Sequence, residues 1–307
     1  MDAVRELVES ASSGRSPSSS STASTAVMPS SCARLPRGVP TVLAHSVRCR
    51  TRTSIEPATL VDMDGIEVVV AHSERATLRV GDVYLKVDAD ARRLDREVEA
   101  MALAPVPTAP VLWRQPSVVA LGALRGERLA RLGRPSSASA AAWRATGLLL
   151  RRLHDAPLPP WAGHELEAVV AELETECRWL ETSGTLPPEL VRRGRAVADA
   201  ALRPWTPAFA HGDLQADHVH VEDDAVTGVL DWSEAGPGDP LRDVATISFG
   251  HAERLGDLLD GYGVEADLEV VRGWWCVRSL LGVRWLLQHG FDPFAPGCEV
   301  DVLRAQR

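Results

Sequence analysis

The chain has 307 residues, 45% hydrophobic and 24% charged, enough to bury a large core and unlike collagen-like, disulfide-scaffold or wholly disordered sequences. Its net charge of -9 is unevenly spread: residues 1–60 hold seven Arg against four acidic residues, leaving 26 basic against 38 acidic groups in the rest. An acidic folded part argues against nucleic acid and anionic membranes as partners and favours a cationic small molecule.

Met1 to Ser10 is charged rather than apolar, and the apolar stretch Trp274 to Leu287 is interrupted by Arg278 and Arg284, so neither a signal peptide nor a membrane span is expected. The five cysteines, Cys32, Cys49, Cys177, Cys276 and Cys298, are odd in number and form no C-x-x-C pair, as expected of reduced thiols in a cytoplasm. Residues 1–60 are rich in Ser, Pro and Arg with little apolar periodicity, which reads as a disordered tail or a misassigned start, with Met63 or a residue shortly before it opening the folded part.

From Ile66 the pattern becomes β-branched: Ile66 to Val70, Ala76 to Val80 and Val83 to Val87, the last two separated by the turn pair Gly81-Asp82. Leu94, Val98, Met101 and Leu103 then share one helical face, with Arg96, Glu97 and Glu99 facing elsewhere, until Pro105, Pro107 and Pro110 end the helix. Val111 to Trp113 and Ser117 to Ala123 complete a five-stranded antiparallel sheet with one helix. Beyond Gly126 the apolar spacing predicts helices over Ala138 to His154, Glu165 to Thr182 and Pro188 to Leu202. A β-rich passage from Phe209 to Asp231 interrupts them, its hairpin turning at Asp223-Asp224, and helices resume from Pro240, including Asp267 to Gln288. The expected fold is α+β and bilobal: a nucleotide-binding lobe over 61–122 and a mainly helical lobe over 123–307, meeting at a cleft.

The densest group of chemically able side chains is His211-Gly212-Asp213-Leu214-Gln215-Ala216-Asp217-His218-Val219-His220, followed by Asp231-Trp232. Phosphoryl transfer needs a carboxylate to orient an acceptor hydroxyl and take its proton, and ligands to hold Mg²⁺ against a triphosphate. Asp213 suits the first task. Asp231 suits the second, with His218 completing the metal shell.

His211-Gly212-Asp213-Leu214 and Asp231-Trp232-Ser233-Glu234-Ala235-Gly236-Pro237-Gly238-Asp239-Pro240, with Asp243 after, resemble the paired signatures of the aminoglycoside phosphotransferase (antibiotic kinase) family, whose fold is similar to protein kinases. The resemblance runs from about Ile66 to Gln288. It implies Asp213 as catalytic base and Asp231 as Mg²⁺ ligand, with ATP or GTP as co-substrate. His218 stands where most of the family has Asn, and in this is similar to the macrolide phosphotransferase branch. Imidazole is a softer ligand than an amide oxygen, so the second metal site is expected to be weaker or retuned. The resemblance further implies Lys86 as the lysine on the α- and β-phosphates and Glu97 as its partner, with Glu99 a close competitor. Backbone groups of about Gly122 to Leu124 would read the nucleobase, and Ser73 would cover the phosphates. Glu234 would face the acceptor. His211 is expected to brace its loop, Asp239 to cap the following helix or bind the catalytic loop, and Asp243 to be architectural.

Two other readings stand beside this one. Asp217, His218 and His220 with His211 and Asp213 are dense enough for a Zn²⁺-dependent hydrolase. The absence of glycine between the first two strands, with His218 in place of Asn, suits a kinase-fold protein that binds nucleotide or ligand without catalysis. For a kinase, the fold serves aminoglycosides, macrolides, sugars, choline-like alcohols and amino-acid alcohols alike, and the acidic balance points to an aminoglycoside or another polyamine.

Overall fold

The computed structural model describes residues 65–71 and 75–306. The expected tail over 1–60, Met63 and Ser73 lie outside the described residues.

Five strands, β1 (Ile66–Ala71), β2 (Arg75–Val80), β3 (Val83–Asp88), β4 (Val111–Gln115) and β5 (Val118–Gly122), form an antiparallel sheet in the order β1-β2-β3-β5-β4. β3 is therefore central, and its register sets Lys86 between Thr77 and Val119. Strand neighbours on both sides fix where the lysine stem starts. Helix α1 (Ala91–Leu103) begins at Asp90, whose carboxylate accepts the Arg92 N–H at 3.1 Å, and stops ahead of Pro105. Leu94 and Met101 are buried on its inner face, whereas Leu103 is exposed. Glu97 departs from expectation: it lies between Leu94 and Met101 on the same face and is 0% exposed. Its partner, described below, explains why a carboxylate is tolerated there.

The second lobe is mostly helical. Its elements are β6 (Glu127–Arg128), α2 (Ala140–His154), α3 (Leu166–Ser183), α4 (Pro188–Ala198), β7 (Ala208–Ala210), β8 (Val219–Glu222), β9 (Ala225–Val229), β10 (Gly236–Gly238), α5 (Pro240–Ser248), α6 (Leu255–Tyr262), α7 (Leu268–Gln288) and α8 (Glu299–Ala305). The expected helices are present with ends moved by a residue or two, except that α4 ends at Ala198. The chain then unwinds through short turns before Pro204, since a residue preceding proline disfavours helix. In the β8–β9 hairpin both turn residues have positive φ, 50° at Asp223 and 63° at Asp224, the two-residue turn that matches strand twist. Gly126, at the exit from the first lobe, has φ of 80°, and a Cβ there would stand 2.1 Å from the Val221 carbonyl oxygen.

Trp143, Leu150, Phe209, Trp232 and Ile247 are wholly buried at the centre of this lobe. Each such side chain contributes on the order of 1.5–3 kcal/mol by leaving water. Trp232 directly follows Asp231 and donates its indole N–H to the Val229 carbonyl at 3.0 Å, so the core anchors the site. Trp274 and Trp275 are buried as expected, but Trp285 is 47% exposed and stacks on His289. No helix among the described residues is long and apolar enough to cross a membrane.

Candidate active site

Lys86 reaches from the middle of the sheet into a triangle of charge. Its Nζ lies 2.7 and 2.9 Å from the two Glu97 oxygens and 2.9 Å from Asp231 Oδ1. Glu97 rather than Glu99 is the partner, because Glu99 sits on the exposed side of α1. Burial alone would lower the Lys86 pKa, but Glu97 and Asp231 outweigh it and keep the ammonium charged. Burial would likewise raise Asp231; Lys86, His218 and Arg75 overcome it and hold that carboxyl below the usual range. In Glu97 burial wins and pushes the carboxyl up against the pull of Lys86. One ammonium thus serves two carboxylates. Arg75 on β2 adds a second cation, 3.2 Å from Asp88 and 3.9 Å from Asp231.

Asp231 itself is left-handed, with φ and ψ of 64°, a conformation Asp tolerates better than most residues. Two ties hold the Asp213 segment to it. His211 Nε2–H donates to the Leu230 carbonyl at 3.0 Å, immediately before Asp231, and its ring lies 4.6 Å from that of Trp232. Burial lowers the His211 pKa, so the ring is neutral and its Nδ1 accepts the Asp213 N–H at 3.4 Å. Behind it, Asp243 on α5 accepts the His211 N–H at 2.6 Å and the Gly212 N–H at 2.9 Å, one on each oxygen. His154 Nε2 stands 3.2 Å from the same carboxylate and its Nδ1 is 2.8 Å from the Tyr262 hydroxyl. Asp239 does the capping, accepting the Leu241 N–H at 3.0 Å and the Trp274 indole N–H at 2.9 Å. The two expected roles therefore divide between Asp239, at the helix cap, and Asp243, at the His211–Asp213 loop.

The Asp213 carboxylate accepts from Gln215 Nε2 at 3.2 and 3.0 Å, one contact per oxygen, and from Arg278 Nη1 on α7 at 3.1 Å. Burial would raise its pKa, but Arg278, His218 and Gln215 together keep it ionised and low. His218 Nδ1 lies 2.9 Å from the Asp213 backbone carbonyl, which only an N–H can satisfy, so Nδ1 carries a hydrogen and Nε2 is the nitrogen left to offer a lone pair to a metal. Asp231 and His218 make two candidate donors. Among the described residues no group of three or more His, Cys, Asp or Glu is placed to hold a metal. That set does not suit a closed zinc site, but it fits magnesium, which is commonly held by one or two protein ligands with substrate phosphates supplying more.

Other expected residues are more dispersed. The Gly122 N–H donates to the Pro110 carbonyl at 2.8 Å and the Ala123 N–H to Asp82 at 2.8 Å, so both donors are committed within the first lobe. The Leu124 side chain covers Gly228 of β9, where a Cβ would stand 2.4 Å from its Cδ2. The Glu234 side chain is exposed, while its carbonyl accepts from His164 Nε2 at 3.0 Å. His164 and Trp161 pin the loop after Asp231: the His164 N–H meets the Pro237 carbonyl at 2.9 Å and the Trp161 indole N–H the Ala235 carbonyl at 2.8 Å. Burial, then Arg242, pushes His164 down to about 4. Arg75, Trp161, His164, Gln215 and Arg278 were not singled out by the sequence reading. A further signal was available there: Lys86 is the only lysine among 33 basic residues.

A viomycin phosphotransferase from Streptomyces vinaceus is 32% identical over 136 residues, 41% of this chain and 46% of that protein. The chain thus spans about half the length of this curated relative. Among solved structures, a macrolide 2′-phosphotransferase from Brachybacterium faecium superposes with a TM-score of 0.56 at 20% identity, covering 80% of this chain and 94% of its own. A choline/ethanolamine kinase family protein from Mesorhizobium loti gives 0.57 at 22% identity, covering 81% and 90%. At those identities the likeness establishes the fold. The profile of the phosphotransferase enzyme family matches residues 68–274, from the first strand to α7 and across every ionic contact described above except the one made by Arg278, and the chain belongs to that family.

Proposed function

We propose that the protein transfers the γ-phosphoryl group of ATP or GTP to a hydroxyl of a small molecule. The observation that carries this reading is the single lysine. In a chain that otherwise uses arginine for every basic position, the one compact ammonium is buried at 8% exposure between Glu97 and Asp231. A buried point charge on a flexible stem suits contact with phosphate oxygens, and arginine does not substitute for it in shape.

In this reading Lys86 leaves Asp231 for the α- and β-phosphates while Glu97 keeps it aimed. Asp231 and His218 would hold the magnesium that accompanies the triphosphate, and the ion, when bound, would neutralise phosphate charge. Asp213 orients the acceptor hydroxyl and receives its proton. Most of the acceleration then comes from placement and from fixed charge rather than covalent chemistry. With the Gly122 and Ala123 N–H groups already used, nucleobase readout falls to Leu124 and to the carbonyls beside it. Glu234, exposed beyond Asp231, is placed to meet an acceptor ammonium or hydroxyl.

The name of the curated relative directs the acceptor search to viomycin and the solved relatives direct it to macrolides, choline and ethanolamine. Any antibiotic in that set would make the protein a resistance enzyme. The test is ATP and GTP consumption over a panel of these compounds, aminoglycosides and metabolite alcohols, with the Asp213→Ala protein as blank. We expect one or more acceptors to raise consumption above the blank by roughly 10² to 10⁴, the span of general-base contributions. Equal consumption by both proteins with every acceptor would overturn the assignment.

A further inference from the structure

Arg278 comes from α7, 65 residues beyond the base it touches, and no element of the phosphate-binding machinery requires it. Its guanidinium lies over the Phe249 ring, 5.0 Å from the centroid, and donates from Nη1 to Asp213 Oδ1 at 3.1 Å. Nε is buried and has no hydrogen-bond partner among the described residues. The Asp213 contact is therefore the polar link that offsets the cost of burying much of this cation. On the other side of Asp213, Gln215 donates to both oxygens. A carboxylate gripped by Gln215 along the chain and by Arg278 from a distant helix has lost rotation about both side-chain bonds.

We infer that Arg278 is the positioning residue for Asp213: stacked on Phe249, it locks the carboxylate rotamer that meets the acceptor oxygen. This rests on the proposed role of Asp213 and adds to it a residue beyond the family match, which ends at residue 274. The competing account is that Arg278 serves the second lobe alone, neutralising Glu299, which is buried on α8 and whose carboxyl burial raises while Arg278 lowers it. The two accounts differ in whether the effect of Arg278 passes through Asp213.

A double-mutant cycle on the full chain separates them, read as the slow hydrolysis of MgATP and MgGTP, in which water takes the place of the acceptor hydroxyl. Arg278→Met is expected to lower the rate roughly 10- to 100-fold, the scale of an approximately 1 Å misplacement of a reacting group. In an Asp213→Asn background the same change should cost less than about twofold, because the group it positions is already disabled. Nucleotide affinity should be unchanged, and Arg278→Lys should recover part of the rate. Should Arg278→Met not fold, Arg278→Lys runs the same cycle with a smaller first effect. Equal fold-losses in both backgrounds, or a wild-type rate for Arg278→Met, would overturn the inference while leaving the proposed function intact. If Asp213→Asn hydrolyses both nucleotides at the wild-type rate, the proposed function falls and this inference with it.

Discussion

Replacing Lys86 by Met removes the ammonium from a wholly buried carboxylate. Glu97 then faces Asp231 across the same space, with Arg75 as a nearby cation. Removing one partner of a buried ion pair costs about 3–5 kcal/mol. At about 2–4 °C per kcal/mol for a domain of 150–250 residues, the melting temperature at pH 7 should fall by roughly 6–20 °C. The loss should depend on pH. With its main cation gone, the Glu97 carboxyl rises further above its unfolded value, so the folded state binds the extra proton and the deficit narrows as pH falls toward 5. Lys86→Met/Glu97→Gln, which removes both charges, should regain most of the melting temperature and yet bind nucleotide no better than the single variant. Thermal denaturation followed by circular dichroism at pH 5 and pH 7 measures all of this. A single variant melting within about 2 °C of wild type at pH 7, or a double variant less stable than the single, would refute the claim that Glu97 is buried at the expense of Lys86.

Gly212 has φ of 84°, and a Cβ there would stand 2.3 Å from the Glu234 carbonyl oxygen, so Gly212→Ala should displace Asp213 and lower turnover about 100-fold, with about 1–2 kcal/mol lost in stability. A loss of turnover no larger than that stability change explains would contradict it. Asp243 has its carboxyl held low, since its hydrogen bonds with His154 and with the His211 backbone N–H outweigh burial. Its stabilisation is present above the unfolded Asp value of about 3.9 and is lost as pH falls through the lower folded value. Asp243→Asn should therefore melt lower at pH 7 and vary less between pH 7 and pH 3 than wild type; parallel curves would argue against the brace. His218→Ala should raise the magnesium concentration needed for half-maximal nucleotide hydrolysis, whereas His218→Asn should not. A magnesium dependence identical in all three proteins would remove His218 from the metal site.

The lobes were readable because their signals are local. Runs of β-branched residues mark β1 to β3, Gly81-Asp82 and Asp223-Asp224 mark the hairpins, and the proline run after Leu103 marks the end of α1. Lys86, Asp213 and Asp231 were found through motif and resemblance, although the uniqueness of Lys86 was visible without either. The choice of Glu97 over Glu99 needed the structure. Helical periodicity assigns carboxylates to the outside, and only the distance to Lys86 shows why this one lies within. Arg278, Trp161 and His164 left no local trace, because each acts on a segment between about 65 and 75 residues away. Helix α4 was overextended because apolar spacing continues to Leu202 while the chain is already turning toward Pro204.

The central claim, that a nucleoside triphosphate lies on Lys86 beside Asp231, is open to one direct measurement. An ATP analogue bearing an acyl phosphate transfers its acyl group to an amine at the triphosphate site, and in this sequence Lys86 is the only lysine available. The account predicts acylation mapped to the Lys86 peptide, suppressed by excess MgATP or MgGTP and lost in the Lys86→Met protein. A folded protein left unmodified at Lys86, or modified there to the same extent whether or not competing nucleotide is present, would contradict it.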